Sequence, residues 1–136
     1  MKNTGIWLDK KQAHIVTIEN GEAHLTTLQS NIETYHVHGG SGSRLKGGPQ
    51  DVVQDSKYLE REKHQLKSYF DTIIAAIKDT DNLTIYGPAE VFLKFEKDLQ
   101  HNHADLSKKI KHVARADSMT KNQVIALVRE FYKTQV

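Results

Sequence analysis

Alternating apolar and polar residues mark the first thirty positions of the chain as extended structure. Residues 5–8, 13–19 and 23–28 are rich in apolar and β-branched side chains, and turn-forming residues separate them. Asn20 and Gly21 lie between the second run and the third, and this dipeptide favours a two-residue hairpin turn because both residues tolerate positive φ. The pattern therefore predicts a meander of three antiparallel strands.

A helical period begins after residue 50. Residues 31–38 fit a short extended segment that glycines bring to an end, and either Asp55 or Ser56 can cap the first turn of a helix. The apolar residues that follow have the spacing of one helical face packed on a sheet. That stripe consists of Leu59, Leu66, Phe70, Ile73, Ile74 and Ile77.

Strand and helix patterns alternate over the rest of the chain. They predict a strand at 83–86, a helix with Pro88 at its first position, a loop at 101–105 and a strand at 108–114, followed by a last helix. The candidate caps of the last helix are Asp117, Ser118 and Thr120. The positions predicted to be buried are Val91, Phe92, Phe95, Leu99, Ile110, Val113, Val124, Leu127, Val128 and Phe131.

Three antiparallel strands followed by αβαβα form the element order of the ribonuclease H-like fold. In that fold, strands four and five join the sheet parallel to strand one through right-handed crossovers, which gives a mixed five-stranded α/β sheet. Other α/β arrangements fit the same order. Since 136 residues is the length of one domain, we expect residues 1–136 to form a single ribonuclease H-like domain.

Composition excludes several classes of function. The chain has no cysteine, which rules out a disulfide framework, a thiolate zinc site and a cysteine nucleophile. It contains neither the apolar run of a signal peptide nor the roughly 18 consecutive apolar residues of a membrane span. We therefore expect a cytoplasmic protein with no membrane partner. The net charge of +2 does not by itself indicate nucleic-acid binding, which would need a local concentration of positive charge.

Such a local concentration occurs in residues 36–50, HVHGGSGSRLKGGPQ, which contain basic residues and no acid. Glycines leave backbone amides free to approach phosphate, and lysine and arginine supply the counter-charge. Basic residues also recur on one face of the following helix, although Glu62 and other acids dilute them. The alternative is a solvated helix face after a mobile loop. The candidate nucleic-acid-binding residues are Arg44, Lys46, Lys57, Arg61 and His64.

The element order also raises the question of a metal-dependent nuclease. Such an enzyme needs carboxylates from strand one, the first helix and the end of strand four to hold two Mg²⁺ ions. Asp9 ends strand one and Glu62 lies in the helix, but residues 85–88 at the end of strand four include no acid. Asp9 is equally well explained as a turn residue, so we do not predict a nuclease.

Two pairs of histidines have the spacing of neighbouring residues on one face of a strand. His36 and His38 form one pair, and His101 and His103 form the other. Imidazoles are common zinc ligands, but the sequence identifies no third ligand for either pair. We therefore predict no metal site and no cofactor.

The region around the basic segment resembles a known family. The stretch HGGSGSRLKGGPQDVVQDSKYLEREKHQ resembles the middle domain of archaeal and eukaryotic class I peptide-chain release factors, in which a Gly-Gly-Gln motif precedes a helix rich in Leu, Arg, Glu and Lys. GPAEVFLKFEKDLQ, residues 106–113 and NQVIALV are similar to the strand-helix-strand-helix close of that domain. The chain is also similar to bacterial stand-alone relatives described as translational machinery components.

This resemblance implies the ribosome as a partner, with ribosomal RNA or tRNA as the molecule bound. It also implies that Gly47, Gly48 and Gln50 form a catalytic tip that promotes hydrolysis of peptidyl-tRNA, although Pro49 interrupts the Gly-Gly-Gln motif. Our hypothesis is a translation-associated protein that binds RNA through residues 36–50, with a role in peptidyl-tRNA hydrolysis or ribosome rescue left open. The competing hypothesis is a non-catalytic interaction domain that forms a homo-oligomer and carries a disordered loop.

Overall fold

The computed structural model describes the backbone of residues 1–32 and 48–134 and the side chains of residues 1–32 and 60–133. These residues form an α/β structure with helices on both faces of one sheet. The elements are β1 (Lys2–Leu8), β2 (Gln12–Glu19), β3 (Glu22–Gln29), α1 (Gly48–Ile77), β4 (Asn82–Gly87), α2 (Val91–Asn102), α3 (Ala104–Ser107), β5 (Ile110–Arg115) and α4 (Lys121–Thr134).

The five strands lie in the order β3-β2-β1-β4-β5. The pairs β1-β2 and β2-β3 are antiparallel, whereas β4 lies parallel to β1 and β5 lies parallel to β4. This is the mixed five-stranded sheet of the ribonuclease H-like fold, so the predicted fold class is confirmed. The central strand β1 is buried from Thr4 to its end, because both of its neighbours and both layers of helices cover it.

Apolar residues on alternate positions of the strands build a separate core on each face of the sheet. Ile6 and Ile15 belong to the core on one face, where they pack with residues from α1, α2 and α3. Trp7 and Val16 belong to the core on the other face, which α4 covers. The period-two alternation of the strands therefore divides the helices into two layers.

Three corrections concern the helices. Helix α2 begins at Val91, after the N-cap residue Glu90, rather than at Pro88. Helix α1 begins at Gly48 rather than near Asp55, and Pro49 falls in its first turn, where its fixed φ and missing N–H are tolerated. The segment 101–105 is not a loop, because α2 continues to Asn102 and the short helix α3 begins at Ala104. Of the predicted extended segment 31–38, the first two residues belong to no strand, and positions 33–38 lie outside the described residues.

The strand predictions are correct in position and differ at their ends. Strand β1 begins at Lys2 rather than at residue 5, and β5 covers Ile110–Arg115 rather than 108–114. The turn between β2 and β3 is the predicted hairpin, because Asn20 and Gly21 have φ of 55° and 82° and Glu19 pairs with Glu22. No helix among the described residues combines the length and the hydropathy that a membrane crossing requires.

Candidate nucleic-acid interface

A polar groove lies between the end of β3 and one face of α1. Its volume is about 440 Å³. Arg61, His64 and Ser68 line it from the helix at spacings of three and four residues, so they share one helical face. Arg61 and His64, two of the predicted nucleic-acid-binding residues, are both exposed. The complete lining is Gln29, Ser30, Asn31, Arg61, His64, Gln65, Ser68, Tyr69 and Thr72.

Hydrogen bonds to the β1-β2 turn fix the strand side of this groove. The Ser30 hydroxyl donates to the carbonyl of Lys10 at 2.6 Å, and the Ser30 amide donates to the carbonyl of Lys11 at 2.9 Å. The amide of Ile32 in turn donates to the Ser30 hydroxyl oxygen at 3.2 Å. The chain is therefore held in place up to the point where it enters residues 33–47.

The helix side of the groove is attached to the same turn. The Tyr69 hydroxyl donates to the carbonyl of Asp9 at 3.0 Å, and Lys10 Nζ lies 3.0 Å from Glu62 Oε2. Burial, and to a lesser extent the nearby Asp9 carboxylate, raise the pKa of Tyr69 far above its usual value, so its hydroxyl remains a neutral donor. These contacts set the rotation of α1, and they direct Glu62 toward the turn while Arg61 and His64 line the groove.

The other predicted site residues are only partly described. Arg44, Lys46 and Gly47 lie outside the described residues. Gly48 and Gln50 form part of the first turn of α1, and Lys57 lies further along that helix, but the described side chains begin at residue 60. The structure thus brings Arg61 and His64 together and leaves the remaining assignments as predictions.

The carboxylates considered for a nuclease have structural partners. Asp9 Oδ1 accepts hydrogen bonds from the amides of Lys11 at 2.8 Å and Gln12 at 2.9 Å, which is the geometry of an Asx-type turn. Glu62 pairs with Lys10. Both acids border a cavity of about 540 Å³ at the carboxyl ends of β1 and β4. Strand β4 itself contributes no acid, but Glu90, three residues after its end, also lines the cavity.

Of the two histidine pairs, the structure describes only His101 and His103. His36 and His38 lie outside the described residues. His101 is exposed in the last turn of α2, whereas His103 is partly buried at the junction of α2 and α3. The prediction that His101 and His103 share one face does not hold, because that prediction assumed an extended segment and α2 runs through this region.

Sequence reasoning missed the strand side of the groove. Gln29 ends β3 and Ser30 and Asn31 follow it, and their sequence indicates no function, because short polar residues at the end of a strand are common in any loop. Their place beside Arg61 depends on the contacts between α1 and the β1-β2 turn. Those contacts join residues more than fifty positions apart, and no local sequence pattern records them.

Comparisons with known proteins identify the fold. No protein-family model and no curated protein sequence matches the chain. The structure of Pelota from Archaeoglobus fulgidus aligns with a TM-score of 0.59 and 11% identity over 95% of this chain. The archaeal translation termination factor aRF1 aligns with a TM-score of 0.45 and 11% identity over 98% of it, and another archaeal protein with a TM-score of 0.47 and 9% identity over 98%.

These alignments cover only part of the other proteins. The chain spans 31% of the Pelota chain, 40% of the aRF1 chain and 38% of the third. The chain therefore has the fold of one portion of Pelota. At 11% identity the likeness shows the fold alone.

Proposed function

We propose that this protein is a translation-associated factor that binds ribosomal RNA or tRNA through residues 36–50 and the α1 face of Lys57, Arg61 and His64. The observation that carries the proposal is the composition of the groove. Asn31, which lies two positions before the segment 33–47, lines the same groove as Arg61 and His64. Asn31 lies five positions before the basic segment 36–50, so the described chain ends its approach to that segment beside the basic helix face.

The charges around this surface favour an anionic partner. Arg61, Lys63 and His64 are exposed on α1, and Lys11 is exposed on the neighbouring turn. Of the two acids that dilute the positive charge, Glu62 is engaged by Lys10, whereas Glu60 is exposed. Counter-charge of this kind dominates the affinity of proteins for nucleic-acid backbones.

The sequence resemblance to the middle domain of release factors selects ribosomal RNA or tRNA among nucleic acids. The order of elements in that resemblance agrees with three antiparallel strands followed by αβαβα, which the described residues adopt with the four-residue helix α3 added after α2. The fold shared with part of Pelota agrees with this element order.

Ribosome co-sedimentation tests this proposal. The variant Arg44→Glu/Lys46→Glu/Arg61→Glu should no longer pellet with ribosomes, because three phosphate contacts become repulsive. A control variant, Lys121→Glu/Arg129→Glu/Lys133→Glu, changes the net charge equally but alters α4 on the opposite face of the sheet. The control should pellet as the parent does. Equal behaviour of the two triple variants would refute a role for this surface.

Peptidyl-tRNA hydrolysis is the finer part of the proposal and has a separate test. Gln50 lies in the first turn of α1, and Gln54 lies about one turn further along the same helix. In a reconstituted peptidyl-tRNA release assay, Gln50→Ala should abolish release and Gln54→Ala should retain it. Release at background by the parent and both variants would leave only a binding role.

A further inference from the structure

Three side chains able to bind a metal converge on the side of α1 away from the groove. Asp71 comes from α1, Asp98 from α2 and His103 from the α2-α3 junction. One ligand atom from each lies within 4.8 Å of the other two. Asp71 and His103 also line a cavity of about 590 Å³, so the cluster borders open space into which a ligand could enter.

Two polar atoms of this cluster are buried without a hydrogen-bond partner among the described residues. They are Asp98 Oδ2 and His103 Nε2, which come from different elements. The Asp98 side chain is only 12% exposed, and its other oxygen accepts a hydrogen bond from Asn102 Nδ2 at 2.8 Å. Buried polar atoms are nearly always paired, because leaving one unpaired costs free energy, so two such atoms in one cluster need an explanation.

The backbone fixes His103 in place. Its amide donates to the carbonyl of Leu99 at 2.9 Å, and its carbonyl accepts from the amide of Ser107 at 3.0 Å. His103 thus ends α2 and caps α3 at the same time. The imidazole is held on a rigid junction, which is how side chains of binding sites are commonly preorganised.

Lys67 compensates only part of the negative charge of Asp71 and Asp98. Its Nζ lies 3.0 Å from Asp71 Oδ1 and 3.8 Å from Asp98 Oδ1, and the side chain is half exposed. Exposed ion pairs of this kind contribute little, and the lysine can turn into solvent. The ammonium also leaves Asp98 Oδ2 and His103 Nε2 unpaired.

We propose that Asp71, Asp98 and His103 bind a zinc ion. A divalent cation accepts lone pairs from carboxylates and an imidazole together, whereas Lys67 contacts only the two carboxylates. Zinc binds imidazole nitrogen and carboxylate oxygen at about 2.0 to 2.2 Å, and rotation of side chains from their present separations would close them on the ion. Three protein ligands leave one position for water. An ion here would join α1 to the α2-α3 junction.

The test uses the full chain with any affinity tag removed, and zinc as the probe. Isothermal titration should show one equivalent of Zn²⁺ bound, and Zn²⁺ should raise the melting temperature of the parent. His103→Ala should weaken binding about tenfold or more, because loss of a ligand costs at least as much as loss of a second-sphere contact. The matched control is His101→Ala, which removes an exposed histidine two positions away and should bind as the parent does.

A second variant keeps the proposal testable if His103→Ala impairs folding. Lys67→Met removes the competing ammonium while keeping a side chain of similar length, so it should bind Zn²⁺ more tightly than the parent. Absence of binding by the folded parent, or equal affinity of the parent, His103→Ala and Lys67→Met, would overturn the proposal.

Discussion

Gly5 occupies a position in β1 where no side chain fits. A Cβ built there would lie 2.7 Å from Val128 Cγ1 and 2.8 Å from Thr84 Oγ1, both closer than real Cβ contacts. Val128 belongs to α4, so the absence of a side chain at Gly5 sets how closely this helix approaches the sheet. The sequence alone places Gly5 in a strand, but it does not reveal this close approach.

The first prediction follows from that contact. Gly5→Ala should lower the free energy of unfolding by about 1 to 3 kcal/mol, the usual cost of overpacking a core. Urea denaturation measures the change. The double variant Gly5→Ala/Val128→Ala should lose less stability than the sum of the single variants, because the smaller side chain makes room for the methyl group. Strict additivity would show that the two sites do not touch.

His14 is a buried titratable residue on the same face of the sheet. Its ring stacks on Trp7 with centroids 5.8 Å apart, and its Nδ1 lies 2.8 Å from Thr27 Oγ1. Burial is the largest cause that lowers the pKa of His14, and the positive charge of Lys121 lowers it further. The folded protein therefore favours the neutral imidazole.

The second prediction concerns the loss of folding stability at acidic pH. Because the folded pKa of His14 lies below its ordinary value of 6.5, the unfolded chain binds a proton first as the pH falls. The stability from His14 is thus present above pH 6.5 and is lost as the pH falls from there through the folded pKa. Urea denaturation between pH 7.5 and 5 should show a shallower loss for His14→Gln than for the parent. His101→Gln, which alters an exposed histidine, should match the parent slope.

At the scale of elements, the beginning of α4 shows which of the candidate N-cap residues caps the helix. The sequence offered Asp117, Ser118 and Thr120 as caps, and the structure uses Thr120. Its hydroxyl accepts from the amide of Gln123 at 3.2 Å, and the Gln123 side chain accepts from the Thr120 amide at 2.8 Å. This reciprocal pair is a capping box.

Replacement of the cap gives the third prediction. Thr120→Ala should lower the free energy of unfolding by about 1 kcal/mol, since an amide of the first turn loses its partner. Ser118→Ala removes a hydroxyl two residues earlier and should leave stability unchanged within a few tenths of a kcal/mol. Chemical denaturation of both variants checks the assignment. An equal loss for Ser118→Ala would contradict it.

The elements that sequence predicted well are those with strong local signals. The hairpin at Asn20 and Gly21 is correct, because positive φ at both positions is a local property of those residues. The sequence pattern predicts too late a beginning for α1, because Gly48 and Pro49 are residue types that are typical of loops. Helix α3 was missed since its four residues are too few to show a helical period.

At the scale of the whole molecule, one side of the candidate site could be predicted from sequence and the other could not. Spacing along one helix was enough to place Arg61 and His64 together. Ser30 and Asn31 join them only because β3, the β1-β2 turn and α1 meet. The same is true of Asp71, Asp98 and His103, whose neighbourhood requires three elements to pack.

The competing hypothesis of an interaction domain also concerns the whole molecule. Light scattering with limited proteolysis, in the presence and absence of ribosomes, separates the two functions. Protection of residues 36–50 by ribosomes alone would favour RNA binding. A stable oligomer whose cleavage is indifferent to ribosomes would favour the interaction domain.

The salt dependence of ribosome binding tests the central claim most directly. If Arg44, Lys46 and Arg61 contact phosphates, the logarithm of the association constant should fall linearly with the logarithm of salt concentration. Neutralising all three as Arg44→Gln/Lys46→Gln/Arg61→Gln should reduce that slope by about 2 to 3, because each neutralised phosphate releases close to one counterion. A parent whose binding is insensitive to salt, or a triple variant with the parent slope, would contradict the account.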